Sequence, residues 1–305
     1  MVIGYIKEEK QNKKLFKRIE IRNFDNNYII IIHDKNSNKV KQKLSKYIIK
    51  LNIDSLVFSR ELDNSFKDEI CMILQKKVKI LNGKKLMELM EFDIVKYIFD
   101  KTDRKMKDEE IYIVFKKDDK LNLNFLQPFI DNFRVINIVT NDVEKLTNIQ
   151  NNLLADEGIL ISVSNNKKKA LKRAKYILNV NLTKAELEKY KINRDAIIIN
   201  IKENVMYDNI GFDGININYF SIECPDEYME QFETIGDNFD IVKMYESRLI
   251  YDALQRAGQL NDNMYKKIKQ DNIKITGLIG KNGYISDEEL QKIHNINLDK
   301  MRKLV

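Results

Sequence analysis

Five short apolar runs between Glu110 and Asn200 form the clearest pattern in the chain: Ile111–Phe115, Val135–Val139, Ile159–Val163, Ile177–Val180 and Ala196–Ile199. They show little polar alternation, as expected of strands covered on both faces by crossover helices. Segments with helical spacing separate them, so the region predicts parallel strands joined by right-handed crossovers. Two capping boxes, Asn141–Glu144 and Thr183–Glu186, mark helix starts, and Gly158 marks a stop. Pro128 is expected near the start of its helix, because deeper in it would remove a ladder bond. Lys167–Ala174 reads as the opening of the helix after the third run.

The first 81 residues alternate in the same way. Val2–Ile6, Arg18–Phe24, Tyr28–Ile32, Ser55–Phe58 and Val78–Leu81 predict strands, with Asp25-Asn26-Asn27 turning the second against the third as a hairpin. Lys35–Leu51 and Ser65–Lys77 place apolar residues on one helical face. Lys84 to about Asp100 is apolar on more than one side, which predicts a long helix joining two bodies. The polar stretch Lys101–Glu110 is the expected boundary. Beyond Lys202 the pattern loosens, with glycine turns around a short strand at Ile215–Tyr219. An amphipathic helix at Asp240–Ala257 and a capping box at Ser286–Glu289 follow. The division expected is an N-terminal α/β domain (1–82), a linking helix (83–109), a second α/β domain (110–205) and a helical extension (206–305).

Composition changes this picture little. The 305 residues are 43% hydrophobic and 32% charged, which suits a folded chain. Abundant Ile, Lys and Asn read as base composition rather than a selected surface. Cys71 and Cys224 stand far apart, with no ligand spacing to His33 or His294, so neither a metal site nor a disulfide framework is expected. No apolar run reaches bilayer length, and the charged start does not suit a signal peptide, so a cytoplasmic protein with no membrane contact is expected. The net charge of +7 is uneven: residues 1–50 hold 13 Lys and Arg against 5 Asp and Glu, whereas residues 201–250 hold 3 against 11.

Candidate chemistry follows from the strand pattern. In open α/β sheets, ligands bind beyond the carboxyl ends of the strands. The residues there are Lys116 and Lys117 after the first run, Asn141 and Asp142 after the second, Asn165, Asn166 and Lys167 after the third, and Asn181 after the fourth. Thr140, Asn179 and Asn200 complete a small, amide-rich rim. Three lysines, Lys167–Lys169, at the N-terminal turn of the expected helix suit a bound phosphate or a solvated face.

The alternation, helix spacing and length of this chain resemble the two-domain dehydrogenases of the shikimate dehydrogenase, glutamyl-tRNA reductase and methylenetetrahydrofolate dehydrogenase type. The resemblance rests on Ile111–Phe115 as first strand, Asn141 and Asp142 after the second, and Lys167–Ala174 after the third. It implies an α/β fold of two α/β domains, the second a doubly wound, parallel, Rossmann-like sheet, joined by a long helix, and NAD or NADP as cofactor. The departure is at the first turn. The family has G-x-G-x-x-G there, which lets backbone touch pyrophosphate. This chain has Phe115-Lys116-Lys117-Asp118-Asp119-Lys120-Leu121.

Three readings stay open. The first is a non-catalytic or regulatory protein holding a small anionic ligand or nucleotide at the rim. The second is an NAD(P)-dependent oxidoreductase with an atypical loop. The third is an interaction module pairing two copies as a homodimer through residues 240–257 or the linking helix. Nucleic acid is not expected: Lys10–Arg22, around Phe16, reads as a lysine-protected edge strand. His33 and His294 read as packed or solvated, and Met87 and Met90 as adaptable core.

Overall fold

A run of isoleucines forms a buried strand wherever both its faces are covered, and the central strands of this protein's two larger sheets are built that way. A computed structural model describes residues 1–9, 18–75, 77–116, 123–144, 146, 150 and 161–292. Lys117, Asp118, Asp119, Gly158, His294 and most of Lys10–Arg22 lie outside the described residues. In chain order the elements begin β1 (Ile3–Glu8), β2 (Ile19–Phe24), β3 (Asn27–Ile32), α1 (Asn38–Lys50), β4 (Ser55–Phe58), α2 (Asn64–Ile73), β5 (Lys79–Ile80), α3 (Lys84–Leu89) and α4 (Glu91–Thr102). They continue β6 (Glu110–Phe115), α5 (Leu123–Asn132), β7 (Val135–Thr140), β8 (Ile161–Ser164), β9 (Tyr176–Asn179), α6 (Lys184–Leu187), β10 (Ile197–Asn200) and β11 (Ile215–Ile217). The last are β12 (Tyr219–Glu223), α7 (Asp226–Ile235), α8 (Ile241–Leu254), α9 (Leu260–Gln270), β13 (Lys274–Gly280) and β14 (Gly283–Ile285).

The chain divides into two units, Met1–Leu89 with Ile222–Lys274, and Met90–Ser221 with Ile275–Val305. The stretch 206–305 is therefore shared between them. In the first unit the sheet order is β2-β3-β1-β4-β5. β2 is antiparallel to β3 in the expected hairpin, with Asp25 in the left-handed region at φ 50°. The other neighbours are parallel. Val40, Leu44 and Ile48 of α1 and Phe66 and Ile70 of α2 bury against this sheet. Each such side chain contributes about 1.5–3 kcal/mol by leaving water.

The second unit holds a six-stranded parallel sheet in the order β11-β10-β9-β6-β7-β8. Numbered from β6 this is 3-2-1-4-5-6, the doubly wound order of dinucleotide-binding domains. All five expected runs contribute strands to one parallel layer. The expected α/β, Rossmann-like class therefore holds at the level of fold. β9 and β10 are buried along their whole length. The turn-rich stretch after Lys202 supplies a sixth parallel strand, Ile215–Ile217 paired with Ile197–Ile199. Gly214 permits it, because a Cβ there would lie 2.1 Å from the Ala196 carbonyl oxygen.

Three expectations need correction. The long helix is two helices, broken at Met90 (φ −108°, ψ 17°). Leu86 and Met87 of α3 and Ile94, Val95, Ile98 and Phe99 of α4 are buried, and the division between the two units falls between Leu89 and Met90, at the break. Pro128 is the sixth residue of α5, not in its first turn. The missing Pro128 N–H therefore falls inside the helix, and farther along Asn132 Nδ2 donates to the Pro128 carbonyl at 2.8 Å. Residues 167–173 form turns rather than a helix. Among the described residues, no helix is long and apolar enough to cross a membrane.

Candidate functional site

The switch in strand order falls between β6 and β9. The chain leaves β6 toward β7 on one side and β9 toward β10 on the other, so the loops beyond their carboxyl ends part. Ligands in such sheets lie at that parting. Here it is bridged by the protein's own groups. The Lys116 backbone N–H donates to Asn181 Oδ1 at 2.9 Å. The Lys116 ammonium reaches Glu186 Oε1 at 2.5 Å. Glu186 also closes the capping box of α6, accepting from the Thr183 N–H at 3.1 Å and from Thr183 Oγ1 at 3.0 Å.

Lys116 and then the Thr183 amide hold the Glu186 carboxyl at about 2, well below its usual range. The folded value lies below the unfolded one. The contribution to stability is therefore present above about pH 4.5 and is lost as pH falls toward 2. Because the Lys116 side chain is 59% exposed, water screens the pair, and its contribution stays below about 1 kcal/mol. Acid titration of the wild type and Glu186→Gln should show a small stability difference that vanishes below about pH 2. A difference persisting there would contradict the assignment.

Beneath this bridge lies a buried amide layer. Asn179 Nδ2 donates to the Asn200 side-chain oxygen at 2.8 Å and to the Leu182 carbonyl at 3.0 Å, and its oxygen accepts the Leu182 N–H at 2.9 Å. Asn200 Nδ2 donates to the Val205 carbonyl at 3.1 Å. These side chains are fully inside, at 1% and 0% exposure. They hold the segments after β9 and β10 in place while remaining out of reach of a ligand.

Of the sequence-derived candidates, Lys116 and Asn181 are brought into direct contact. Asn141 is exposed, and the Asp142 N–H donates to Thr140 Oγ1 at 3.1 Å. Asn165, Asn166 and Lys167 follow β8, the outermost strand on that side, and share no hydrogen bond with Lys116 among the described residues. Asn166 Oδ1 takes the N–H groups of Lys168 and Lys169, both at 3.1 Å. The three lysines therefore crowd an asparagine-stabilised turn, and no helix dipole supports a phosphate there. Sequence reasoning recognised Glu186 as a cap but not as the partner of Lys116. Its place just after the fourth strand, beside the switch, was the available signal. His33 ends β3 with Nδ1 at 2.8 Å from the Glu9 carbonyl, a packed terminus. No cluster of three or more metal-ligating residues occurs among the described residues.

No family model matches this chain, and no curated protein matches it. Among solved structures it is similar to L-tryptophan dehydrogenase from Nostoc punctiforme, at 7% identity over 88% of both chains with a TM-score of 0.33. Shikimate dehydrogenase in complex with NADP+ aligns at 10% identity over 88% of this chain and 95% of that one, with a TM-score of 0.31. D-lactate dehydrogenase with NAD+ from Lactobacillus jensenii aligns at 11% identity over 66% and 70%, with a TM-score of 0.30. The strand order, rather than these overlays, carries the fold assignment.

Proposed function

We propose that this chain is a Rossmann-like binding protein that holds a small anionic ligand at the carboxyl rim of its six-stranded sheet and performs no hydride transfer. The supporting observation is the Lys116–Glu186 pair across the switch point. A cation stands where folds of this order take ligand anions, and its present partner is a side chain of the same protein. A pair this exposed is worth at most about 1 kcal/mol, so a free phosphate or carboxylate can exchange for Glu186. A dinucleotide fits less well. The Lys116 amide already belongs to Asn181, and the Glu186 carboxylate repels a second phosphate.

A second reading, an oxidoreductase using NAD or NADP through an atypical loop, is favoured by the strand order itself. Calorimetric titration at low salt with inorganic phosphate, pyrophosphate, NAD(H) and NADP(H) separates the two. Phosphate-sized anions should bind the wild type, bind Glu186→Gln about fivefold more tightly, and fail to bind Lys116→Ala; fivefold corresponds to about 1 kcal/mol. NAD(H) binding more tightly than phosphate would instead favour the second reading. Absence of binding by both the wild type and Glu186→Gln would remove both.

A further inference from the structure

The rim leaves a different part of the second unit unexplained. The turns at 167–173 lie beside residues 191–193, stitched by the Lys191 N–H donating to the Lys167 carbonyl at 2.9 Å and the Asn193 N–H donating to the Leu171 carbonyl at 3.0 Å. Leu171 and Ala174 are buried beneath. Lys168, Lys169, Lys172, Arg173, Lys189 and Lys191 stand on these two joined stretches, and all six are exposed. None of them forms an ion pair among the described residues. Nearby cations are partnered: Lys184 meets Asp208 at 2.7 Å, Lys116 meets Glu186, and Arg194 meets Asp213.

Arg173 also lines a cleft of about 400 Å³ at the amino ends of the central strands, together with Arg104, Arg134 and Lys175. Arg104 and Lys175 share one carboxylate, Glu109, at 3.6 and 3.4 Å, and Arg134 meets Glu110 at 3.6 Å. The basic surface therefore reaches, at Arg173, a cleft lined by four cations and by the three carboxylates Asp108, Glu109 and Glu110. That cleft is remote in the topology from the carboxyl rim, since it opens at the opposite ends of the strands.

We infer that this surface docks the sugar–phosphate backbone of a double-stranded nucleic acid. A small anion needs two or three cations, whereas six unpaired ones on two joined stretches suit a repeating line of charge. Single strands are usually held by stacking on exposed aromatic rings, and the two tyrosines between 166 and 194, Tyr176 and Tyr190, are buried at 1% and 5% exposure. A membrane surface would be met with apolar side chains as well as lysines. None of the exposed large hydrophobic residues falls between 166 and 194. Base edges are not read by such a surface: lysines on turns engage phosphate and fix position without sequence preference.

The test uses the full chain and fluorescence anisotropy with a labelled DNA duplex, an RNA duplex of the same sequence, and phosphatidylserine vesicles. Six phosphate contacts predict a slope of about −5 for log affinity against log salt, and an affinity loss of about a thousandfold between 50 and 200 mM salt. Replacing Lys168, Lys169, Lys172 and Arg173 by glutamate should reduce the slope to about −2. The thermal midpoint and the phosphate response at Lys116 should not change, so failure here is separate from failure at the rim. Binding at low salt to neither duplex overturns the inference. So does an unchanged slope in a folded quadruple variant, or tighter binding to vesicles than to either duplex.

Discussion

Replacing Glu246 by alanine should destabilise the first unit by about 3–5 kcal/mol, lowering its thermal midpoint by about 10 °C or more. Glu246 lies on α8 at 1% exposure and accepts the backbone N–H groups of Gly83 at 2.9 Å, Lys85 at 2.7 Å and Leu86 at 3.2 Å. These are the orphan donors at the start of α3, which a local side chain would ordinarily cap. Alanine strands three buried donors, each costing about 1–3 kcal/mol when left unmade, and the site is too enclosed for full relief by water. Glu246→Gln keeps an acceptor and removes a buried charge, so it should cost less than half as much. The same charge gives a pH signature. Burial pushes the Glu246 carboxyl above its usual value, against the pull of the three amides. A folded value raised in this way gives stability that is complete at low pH and is lost as pH rises through it. The wild type should therefore lose stability on going upward from about pH 4.5 relative to the glutamine variant. Urea titrations at several pH values read both effects. An alanine variant within about 1 kcal/mol of wild type would show that water serves the amides equally well.

The second large effect is expected at Asn179. Alanine there removes the bonds to Asn200 and to both backbone groups of Leu182, leaving the buried Leu182 N–H and carbonyl without the side chain that serves them. The expected cost is about 2–4 kcal/mol. Because the next turn carries Asn181, which holds the Lys116 amide, phosphate binding should weaken in the same variant. Asn179→Asp keeps the shape but sets a second acceptor against the Asn200 oxygen and the Leu182 carbonyl. Burial and these acceptors raise its folded pKa, so its deficit should widen as pH increases. Chemical denaturation and calorimetry on the same preparations measure both. Unchanged phosphate affinity in a folded Asn179→Ala protein would separate the buried layer from the site above it.

The parallel sheet was legible because its strands are unbroken apolar runs, and burial on both faces leaves no other reading for Ile197–Ile199 or Tyr176–Leu178. The sixth strand was legible as a short strand at Ile215–Tyr219, but its pairing with Ile197–Ile199 was not, since only Ile215 and Ile217 are apolar in it and Gly211 and Gly214 read as turns. Lys167–Ala174 follows the third run where a crossover helix is expected, yet residues 167–173 form turns. Local bonds to Asn166 decided otherwise, an asparagine offering the backbone an alternative to the helix. Lys116 and Asn181 could be placed at the rim from strand ends alone. Glu246 could not be found as a cap, since its partners lie 160 to 163 residues earlier and no sequence period links them.

That distance bears on how the chain acquires its structure. The first unit is discontinuous, made from Met1–Leu89 and Ile222–Lys274. As the polypeptide emerges from the ribosome, its opening half waits unfinished, with the amides of α3 unmet and the sheet face that receives α8 uncovered, while some 130 residues of the other unit are synthesised. Nascent chains halted before residue 246 should present that uncovered face to holding chaperones, and release should follow only once α8 has cleared the exit tunnel.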